Sequence, residues 1–335
     1  MPPPATATTR PVASPTPPAV RTVAATAAST AAATVRLPAV SPAATATVPQ
    51  AAAGAGKIVF ETGPRDKPAI DLMNPDGSGR RKIADGRSPI FAADGQRIAF
   101  LAVVAPASET APIGKVAIRS VKLDGSDPQD LCLTDANAQL DLVAWSPDGR
   151  TVMMAGGQAP PSIVFACDVA SHNLAPAFAQ GPQRVSQTWA WTPDGKRAVW
   201  QTGVKTVDLN MFYGDPAQNG QDATQVTTGQ NRLSVGPLQL YSVVRVSPDG
   251  KTLALGGSNV SFVSLPGQQS PLQGKTVDAY AGSQRNFFTS ERLAWSPDGK
   301  SLLVTSGQTI KLVDVASGRI TTLMQDGGPA DWSRQ

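Results

Sequence analysis

The sequence predicts an all-β fold, a six-bladed β-propeller over residues 57–335 that follows a disordered linker over residues 1–56. Two observations predict the propeller. One hairpin motif, LAWSPDGKSLLV in its clearest copy, recurs with starts at Ile90, Val143, Trp189, Val244 and Leu293. The turn aspartates of these copies are Asp94, Asp148, Asp194, Asp249 and Asp298, and their spacings are 54, 46, 55 and 49 residues. Repeats of about 40–50 residues with four strands each are typical of β-propellers.

The turn of each copy has a sequence that closes a tight hairpin. In four of the five copies a proline fixes φ at the first turn position, whereas the copy from Ile90 has Ala93 there. In all five, glycine takes the positive φ that ends the turn. The residue before the proline can hydrogen-bond back into the turn; it is Ser146, Thr192, Ser247 or Ser296. Each copy therefore predicts a strand, a tight turn and a second strand.

One blade can be followed completely in the sequence. LVAWSPDG is the inner strand, RTVMMAGG the second, PSIVFACDV the third and NLAPAFAQ a weaker outer strand. The outer strand of the fifth blade is poorly defined within residues 268–290. The segment KIVFET from Lys57 resembles a second strand, and GPADWSRQ at the other end resembles a first strand. We therefore expect residues 57–61 to pair with residues 330–333 in a composite blade, which gives six blades of about 46 residues.

These motifs resemble those of the TolB-like β-propellers, whose repeats are relatives of the WD repeat. The resemblance rests on the WSPDGK hairpins and on DLMNPDGSGRRKI between a third and a fourth strand, and it covers nearly all of residues 57–335. It implies the fold and says little about activity. The family's namesake belongs to the periplasmic Tol-Pal system and carries an α/β domain before its propeller, where this chain has the linker.

Residues 1–56 consist mostly of Ala, Pro, Thr and Val, with three arginines, no acid and no aromatic residue. Such a segment cannot bury enough apolar surface to offset its ordering entropy. We interpret it as an extended stalk, which favours an extracytoplasmic location; a plain disordered tail and a cytoplasmic location are the alternatives. Its start has no apolar core typical of a signal peptide, so a truncated or wrongly started gene is a further interpretation.

Composition excludes several classes of protein. Residues 57–335 carry 26 basic and 25 acidic side chains, whereas a nucleic-acid binder shows a basic stripe. No apolar run approaches about 18 residues, so no membrane span is expected. The two cysteines, Cys132 and Cys167, are expected to be free thiols, with a single bridge between them as the alternative. We expect a monomer.

Catalytic motifs are missing from the sequence. His172, the single histidine, excludes an HExxH zinc site and is expected to be a solvated loop residue. No GxSxG elbow occurs. The DGKT and DGKS turns are not P-loops, because the required earlier glycine is Arg245 or Ala294. No carboxylate pair can be nominated from spacing, so no catalytic residue, metal or cofactor is predicted.

Candidate binding residues follow from the alignment of the repeats. The aromatic position before the turn is Phe91, Trp145, Trp191, Val246, Trp295 and Trp332; we call it the tryptophan column. Four residues earlier lie Arg87, Asp141, Gln187, Ser242, Glu291 and Gly328, and one residue earlier lie Ile90, Ala144, Ala190, Arg245, Ala294 and Asp331. The predicted channel-mouth site consists of Arg87, Asp141, Gln187, Arg245, Glu291, Arg292 and Asp331. Alternatively, these residues pair with one another or stay hydrated.

The missing catalytic motifs and the stalk favour a non-catalytic extracytoplasmic binding or scaffold module for a protein, peptide or glycan partner. One alternative is a propeller-type lyase or glycosidase, which needs a metal or acid cluster at the channel. Another is the sensor domain of a larger receptor or kinase.

Overall fold

The computed structural model describes residues 55–106, 114–135, 140–156, 163–177, 185–202, 210–218, 221–226, 243–257, 259–280 and 292–334. The predicted linker lies outside these residues except for Ala55 and Gly56, and it stays a prediction. A short 3-10 turn at Pro216–Gln218 is the only helical element in these ranges. No helix in the described ranges is long and apolar enough to cross a bilayer.

Twenty-four short strands make up the described part of the chain. In chain order they are β1 (Ile58–Thr62), β2 (Ala69–Met73), β3 (Arg81–Asp85), β4 (Arg87–Phe91), β5 (Arg97–Ala105), β6 (Lys115–Lys122), β7 (Gln129–Asp135), β8 (Asp141–Trp145), β9 (Thr151–Gly156), β10 (Ile163–Asp168), β11 (Leu174–Pro176), β12 (Val185–Trp191), β13 (Ala198–Thr202), β14 (Asn210–Gly214), β15 (Thr224–Gln225), β16 (Val243–Val246), β17 (Thr252–Gly256), β18 (Val260–Ser264), β19 (Thr276–Val277), β20 (Arg292–Trp295), β21 (Ser301–Ser306), β22 (Thr309–Asp314), β23 (Ile320–Met324) and β24 (Gly327–Trp332).

The strands form six antiparallel four-stranded sheets, the blades. Blade 1 has the order β24-β1-β2-β3, and blades 2 to 6 are β4–β7, β8–β11, β12–β15, β16–β19 and β20–β23. The innermost strands contact one another in a ring, in the order β24, β4, β8, β12, β16, β20 and back to β24. The predicted all-β six-bladed propeller is confirmed. The poorly defined outer strand of the fifth blade is the two-residue β19.

Blade 1 combines strands from two distant parts of the chain. β24 pairs antiparallel with β1, with Ile58 opposite Trp332 and Phe60 opposite Ala330. Just beyond the paired strands, the Ser333 amide donates to the Lys57 carbonyl at 2.9 Å, and the Lys57 amide donates to Ser333 Oγ at 2.8 Å. These bonds anchor β24 as the innermost strand of the blade.

The recurring turns have the predicted geometry. In blade 3, Ser146 Oγ donates to Asp148 Oδ1 at 2.6 Å and accepts from the Thr151 amide at 2.9 Å. Gly149 closes this turn with a φ of 75°, a conformation that costs glycine little because it has no Cβ. Equivalent bonds from a serine or threonine to the turn aspartate occur in blades 4, 5 and 6.

The hydrophobic core lies between blades rather than within them. Six clusters of buried side chains each combine residues of two neighbouring blades. The cluster between blades 2 and 3, for example, joins Ile118 and Leu131 to Trp145 and Met154. Because each blade packs against both neighbours, burial of apolar area around the ring stabilises all six together.

The expectation of free thiols is wrong. Cys132 on β7 and Cys167 on β10 form a disulfide with a Cα–Cα distance of 6.0 Å. The two residues are 35 positions apart in sequence, and they meet because the outer strand of blade 2 faces the third strand of blade 3. The bond therefore links two neighbouring blades covalently.

His172 is exposed, as expected for a loop residue, but it has a structural contact. It lies between β10 and β11 with a φ of 58°, and its Nδ1–H donates to the Leu131 carbonyl of blade 2 at 2.8 Å. Leu131 precedes Cys132, so this bond supports the same junction between blades as the disulfide.

Candidate functional site

The central channel widens into a cavity at the end of the inner strands that carries the hairpin turns. The cavity has a volume of about 330 Å³, and we call it the channel cavity. Its walls include Trp145, Trp191, Trp295 and Trp332 of the tryptophan column, which is the last residue of each inner strand. Turn prolines from blades 3 to 6 form its rim: Pro147, Pro193, Pro248 and Pro297.

The position before the tryptophan column determines how much space the cavity has. All six residues at this position line it: Ile90, Ala144, Ala190, Arg245, Ala294 and Asp331. Three alanines leave room around the channel axis. The two charged residues, Arg245 and Asp331, therefore line an open space beside these small side chains.

Asp331 is held by the neighbouring blade. Its Oδ2 accepts a hydrogen bond from the Phe91 amide at 2.8 Å, which links β24 of blade 1 to β4 of blade 2. The carboxylate is thereby fixed at the cavity wall.

Arg245 is the basic group inside the channel cavity. Its Nη1 donates to the Val244 carbonyl at 2.8 Å, and its own carbonyl accepts from Trp295 Nε1 at 3.3 Å. Among the described residues it forms no ion pair. Burial lowers the pKa of Arg245 to about 10, with Asp331 opposing the shift and Arg292 adding to it. The guanidinium is therefore still charged at neutral pH but poorly solvated.

Arg334 also lines the cavity, and the sequence interpretation missed it. It follows Trp332 by two residues, the position that a turn proline occupies in blades 3 to 6. Extending the repeat alignment past Trp332 would have found it. With Arg334 and Arg245 against Asp331, the lining residues carry two positive charges and one negative charge.

A second polar group lies deeper in the channel and is organised by Arg292. The Arg292 side chain is only 2% exposed. Its Nη2 donates to Asp141 Oδ1 and to the Leu142 carbonyl on β8, and its Nη1 donates to the Pro89 carbonyl on β4 at 3.4 Å. Because β20 and β8 lie opposite each other in the ring, this side chain crosses the channel.

Glu61 belongs to this second group, and the sequence interpretation missed it because it lies on β1 rather than on an inner strand. Its Oε2 accepts from the Ser88 amide at 2.9 Å. Burial raises the pKa of Glu61; Asp141 adds to the shift, while the Ser88 amide, Arg292 and Arg87 oppose it. The acid is therefore held in a partly desolvated environment near the start of β4.

The predicted site residues thus fall into two groups. Arg245 and Asp331 line the channel cavity. Asp141, Arg292 and Arg87 surround Glu61 in the deeper group. Glu291 and the side chain of Gln187 lie outside the described residues, as does Ser242 of the same alignment.

The described residues contain no cluster of three or more His, Cys, Asp or Glu side chains placed to hold a metal ion. The acids near the channel have partners: Asp331 accepts from an amide, Asp141 pairs with Arg292, and Glu61 accepts from an amide. The channel cavity therefore offers a ligand guanidinium donors and a surface of mixed polar and apolar character.

No known family model matches this sequence, and no curated protein matches it. Many solved structures share its fold. TolB from Acinetobacter baumannii is 15% identical with a TM-score of 0.58; the match covers 83% of this chain and 66% of that one. The fold is that of the TolB-like six-bladed β-propellers. This chain thus spans slightly less than two thirds of the TolB chain.

Two further structures have similar propellers. A chain of a nidogen/laminin complex is 11% identical with a TM-score of 0.53, and the match covers 84% of this chain and 99% of that one. A functionally unknown protein from Desulfotomaculum acetoxidans is 13% identical with a TM-score of 0.52, and the match covers 83% and 98% of the two chains. At these identities the likeness to the TolB-like structures and to the others establishes the fold alone.

Proposed function

We propose that this protein is a non-catalytic binding module that acts outside the cytoplasm and takes a protein, peptide or glycan partner at the channel cavity. The observation that carries the proposal is the cavity itself. Four tryptophans and small apolar residues form its walls, and Arg245 inside it uses one of the five N–H donors of a guanidinium in a hydrogen bond within the described structure. Concave apolar sites with a few polar groups are the usual form of a ligand site.

The disposition of the acids supports binding over catalysis. General acid–base catalysis needs a carboxyl group that is free to exchange a proton with substrate. Asp331 is the one acid among the lining residues that the structure describes, whereas glycoside hydrolysis uses a pair of carboxyl groups. The solved propeller within the nidogen/laminin complex is an example of the fold in a protein–protein assembly.

The interblade disulfide supports a location outside the cytoplasm. Structural disulfides persist in oxidising compartments and are rare where thioredoxin and glutathione keep thiols reduced. Cys132 and Cys167 lie 2% and 0% exposed at the blade junction. The bond therefore fits a protein that folds in the periplasm or at the cell surface.

The test compares binding with and without an open cavity. Purified protein is applied to peptide and glycan arrays beside two variants: Ala144→Phe, which fills the cavity, and Ala316→Phe, an exposed turn residue outside the lining residues. We expect ligands that bind the wild type and Ala316→Phe and are lost in a folded Ala144→Phe variant. Ligands that Ala144→Phe retains would place the binding surface elsewhere, and cleavage of arrayed glycans would favour the lyase or glycosidase alternative.

A further inference from the structure

The channel cavity combines an excess of positive charge with walls of mixed polar and apolar surface. Its charged lining residues are Arg245, Arg334 and Asp331, two cations against one anion. Neither arginine forms an ion pair within the described residues. Arg334 is exposed and stays hydrated, whereas Arg245 is partly buried, and a partly desolvated charge is costly unless an opposite charge accompanies it. The cavity therefore favours an occupant that brings a negative charge.

The geometry of Arg245 indicates which kind of anion the cavity favours. Its guanidinium is tied to the protein through Nη1, which donates to the Val244 carbonyl. The remaining N–H groups have no hydrogen-bond partner in the described structure, and a planar guanidinium matches the two oxygens of a carboxylate. The backbone of Arg245 is also held, because its carbonyl accepts a hydrogen bond from Trp295 Nε1. The donor is therefore positioned before a ligand arrives.

The walls of the cavity indicate which group the ligand carries beside its negative charge. Tryptophan and alanine side chains surround the charged groups, and the volume of about 330 Å³ lies at the small end for ligand sites. One carboxylate is a single charge, which matches the net charge of the lining residues. A doubly charged phosphate would exceed that net charge.

We infer that the channel cavity binds a monocarboxylate that carries an apolar or aromatic group, either a small free acid or the carboxyl terminus of a peptide. This inference rests on the proposed function, because it assigns a ligand chemistry to the cavity proposed there as the binding site. The carboxylate pairs with Arg245, and the apolar group packs against the tryptophans of the column.

The test uses matched charged and neutral probes. Binding of 3-phenylpropionate and of 3-phenylpropionamide is measured by calorimetry, with tryptophan fluorescence as a second readout because Trp145, Trp191, Trp295 and Trp332 line the cavity. We expect the acid to bind the wild type about tenfold or more tightly than the amide, because a charge-assisted bidentate pair is lost in the amide. Equal binding of acid and amide, or no binding of the acid, would overturn the inference without any variant.

Three variants test which charged side chain of the cavity binds the carboxylate. Arg245→Gln should weaken binding of the acid about tenfold and leave the amide unchanged. Asp331→Asn, which keeps an acceptor for the Phe91 amide, should tighten binding of the acid because a repelling charge is removed. Arg319→Gln, an exposed turn arginine outside the cavity, should have no effect. Unchanged acid binding in a folded Arg245→Gln variant contradicts the inference.

Two peptides separate the sources of the carboxylate. Acetyl-Gly-Gly-Phe is compared with its carboxyl-terminal amide. Preference for the free carboxyl terminus supports a peptide ligand, and binding of phenylpropionate alone supports a small free acid; both outcomes support the carboxylate. If array ligands are lost in Ala144→Phe but are neutral and indifferent to Arg245→Gln, the carboxylate inference fails and the proposed binding site stands. If no ligand depends on the open cavity, both fail.

Discussion

At the scale of single residues, Arg292 connects inner strands on opposite sides of the ring. Its guanidinium is almost fully buried and bonds to groups on β8 and β4, across the channel from its own strand. Removing one partner of such a pair leaves an uncompensated charge and unsatisfied carbonyls, which costs more than the pair itself contributes. The side chain should therefore matter more for stability than an exposed ion pair such as Arg119–Asp130.

Arg292→Met should lower the free energy of unfolding by about 3 kcal/mol, measured by urea denaturation. The double variant Arg292→Met/Asp141→Asn should recover part of this loss, because the orphaned carboxylate is gone. Arg119→Met removes an exposed pair with Asp130 on the surface of blade 2 and should change the free energy of unfolding by less than about 1 kcal/mol. Equal effects of Arg292→Met and Arg119→Met would contradict the role of Arg292.

Glu61 gives stability a pH dependence of defined sign. Burial raises its pKa, so the folded protein keeps this proton to a higher pH than the unfolded chain does. The stability that protonated Glu61 contributes is complete below the pKa of the unfolded chain, and it is lost as pH rises through the raised pKa of the folded protein. Asp141, Arg87 and Arg292 are the charged groups that act on it.

Glu61→Gln keeps an acceptor for the Ser88 amide and removes the titration. The variant should gain stability relative to wild type as pH rises from about 4 towards 7, measured as the difference between the two free energies of unfolding at each pH. Parallel curves for variant and wild type over this range would show that Glu61 is not desolvated in the folded protein.

At the scale of strands and turns, the sequence predicts those features whose residues are close together in the chain. The hairpin of blade 3 depends on Ser146, Asp148 and Gly149, which lie within four consecutive residues and interact with one another. The disulfide could not be predicted in this way. Cys132 and Cys167 belong to different repeats, and they meet only because blades 2 and 3 pack side by side.

The disulfide should stabilise the junction of blades 2 and 3. A crosslink over 35 residues restricts the unfolded chain enough to contribute about 4 kcal/mol. Cys132→Ala/Cys167→Ala should therefore lower the free energy of unfolding by about this amount, and chemical reduction of the wild type should have a similar effect. His172→Ala is the matched control, because it removes only the bond to the Leu131 carbonyl and should cost about 1 kcal/mol. A wild type insensitive to reduction would contradict this account.

At the scale of the whole molecule, the ring determines which residues meet. Repeat alignment places Arg245 and Asp331 at the position that lines the cavity, because each inner strand ends at the tryptophan column. It does not predict that Arg292 reaches Asp141, since that contact depends on the width of the channel. The spacing of repeats does not predict which side chains contact each other across the channel.

The channel, its cavity and the contacts across it all depend on the ring, in which β24 is the inner strand of blade 1. Amide hydrogen exchange, followed by mass spectrometry on the intact chain, tests this directly. Peptides that cover β1 and β24 should be protected as strongly as those that cover β8 and β9, because both pairs lie in four-stranded blades. Fast exchange in β1 and β24 beside slow exchange in β8 and β9 would show that blade 1 does not form as described, and the closed channel would have to be abandoned.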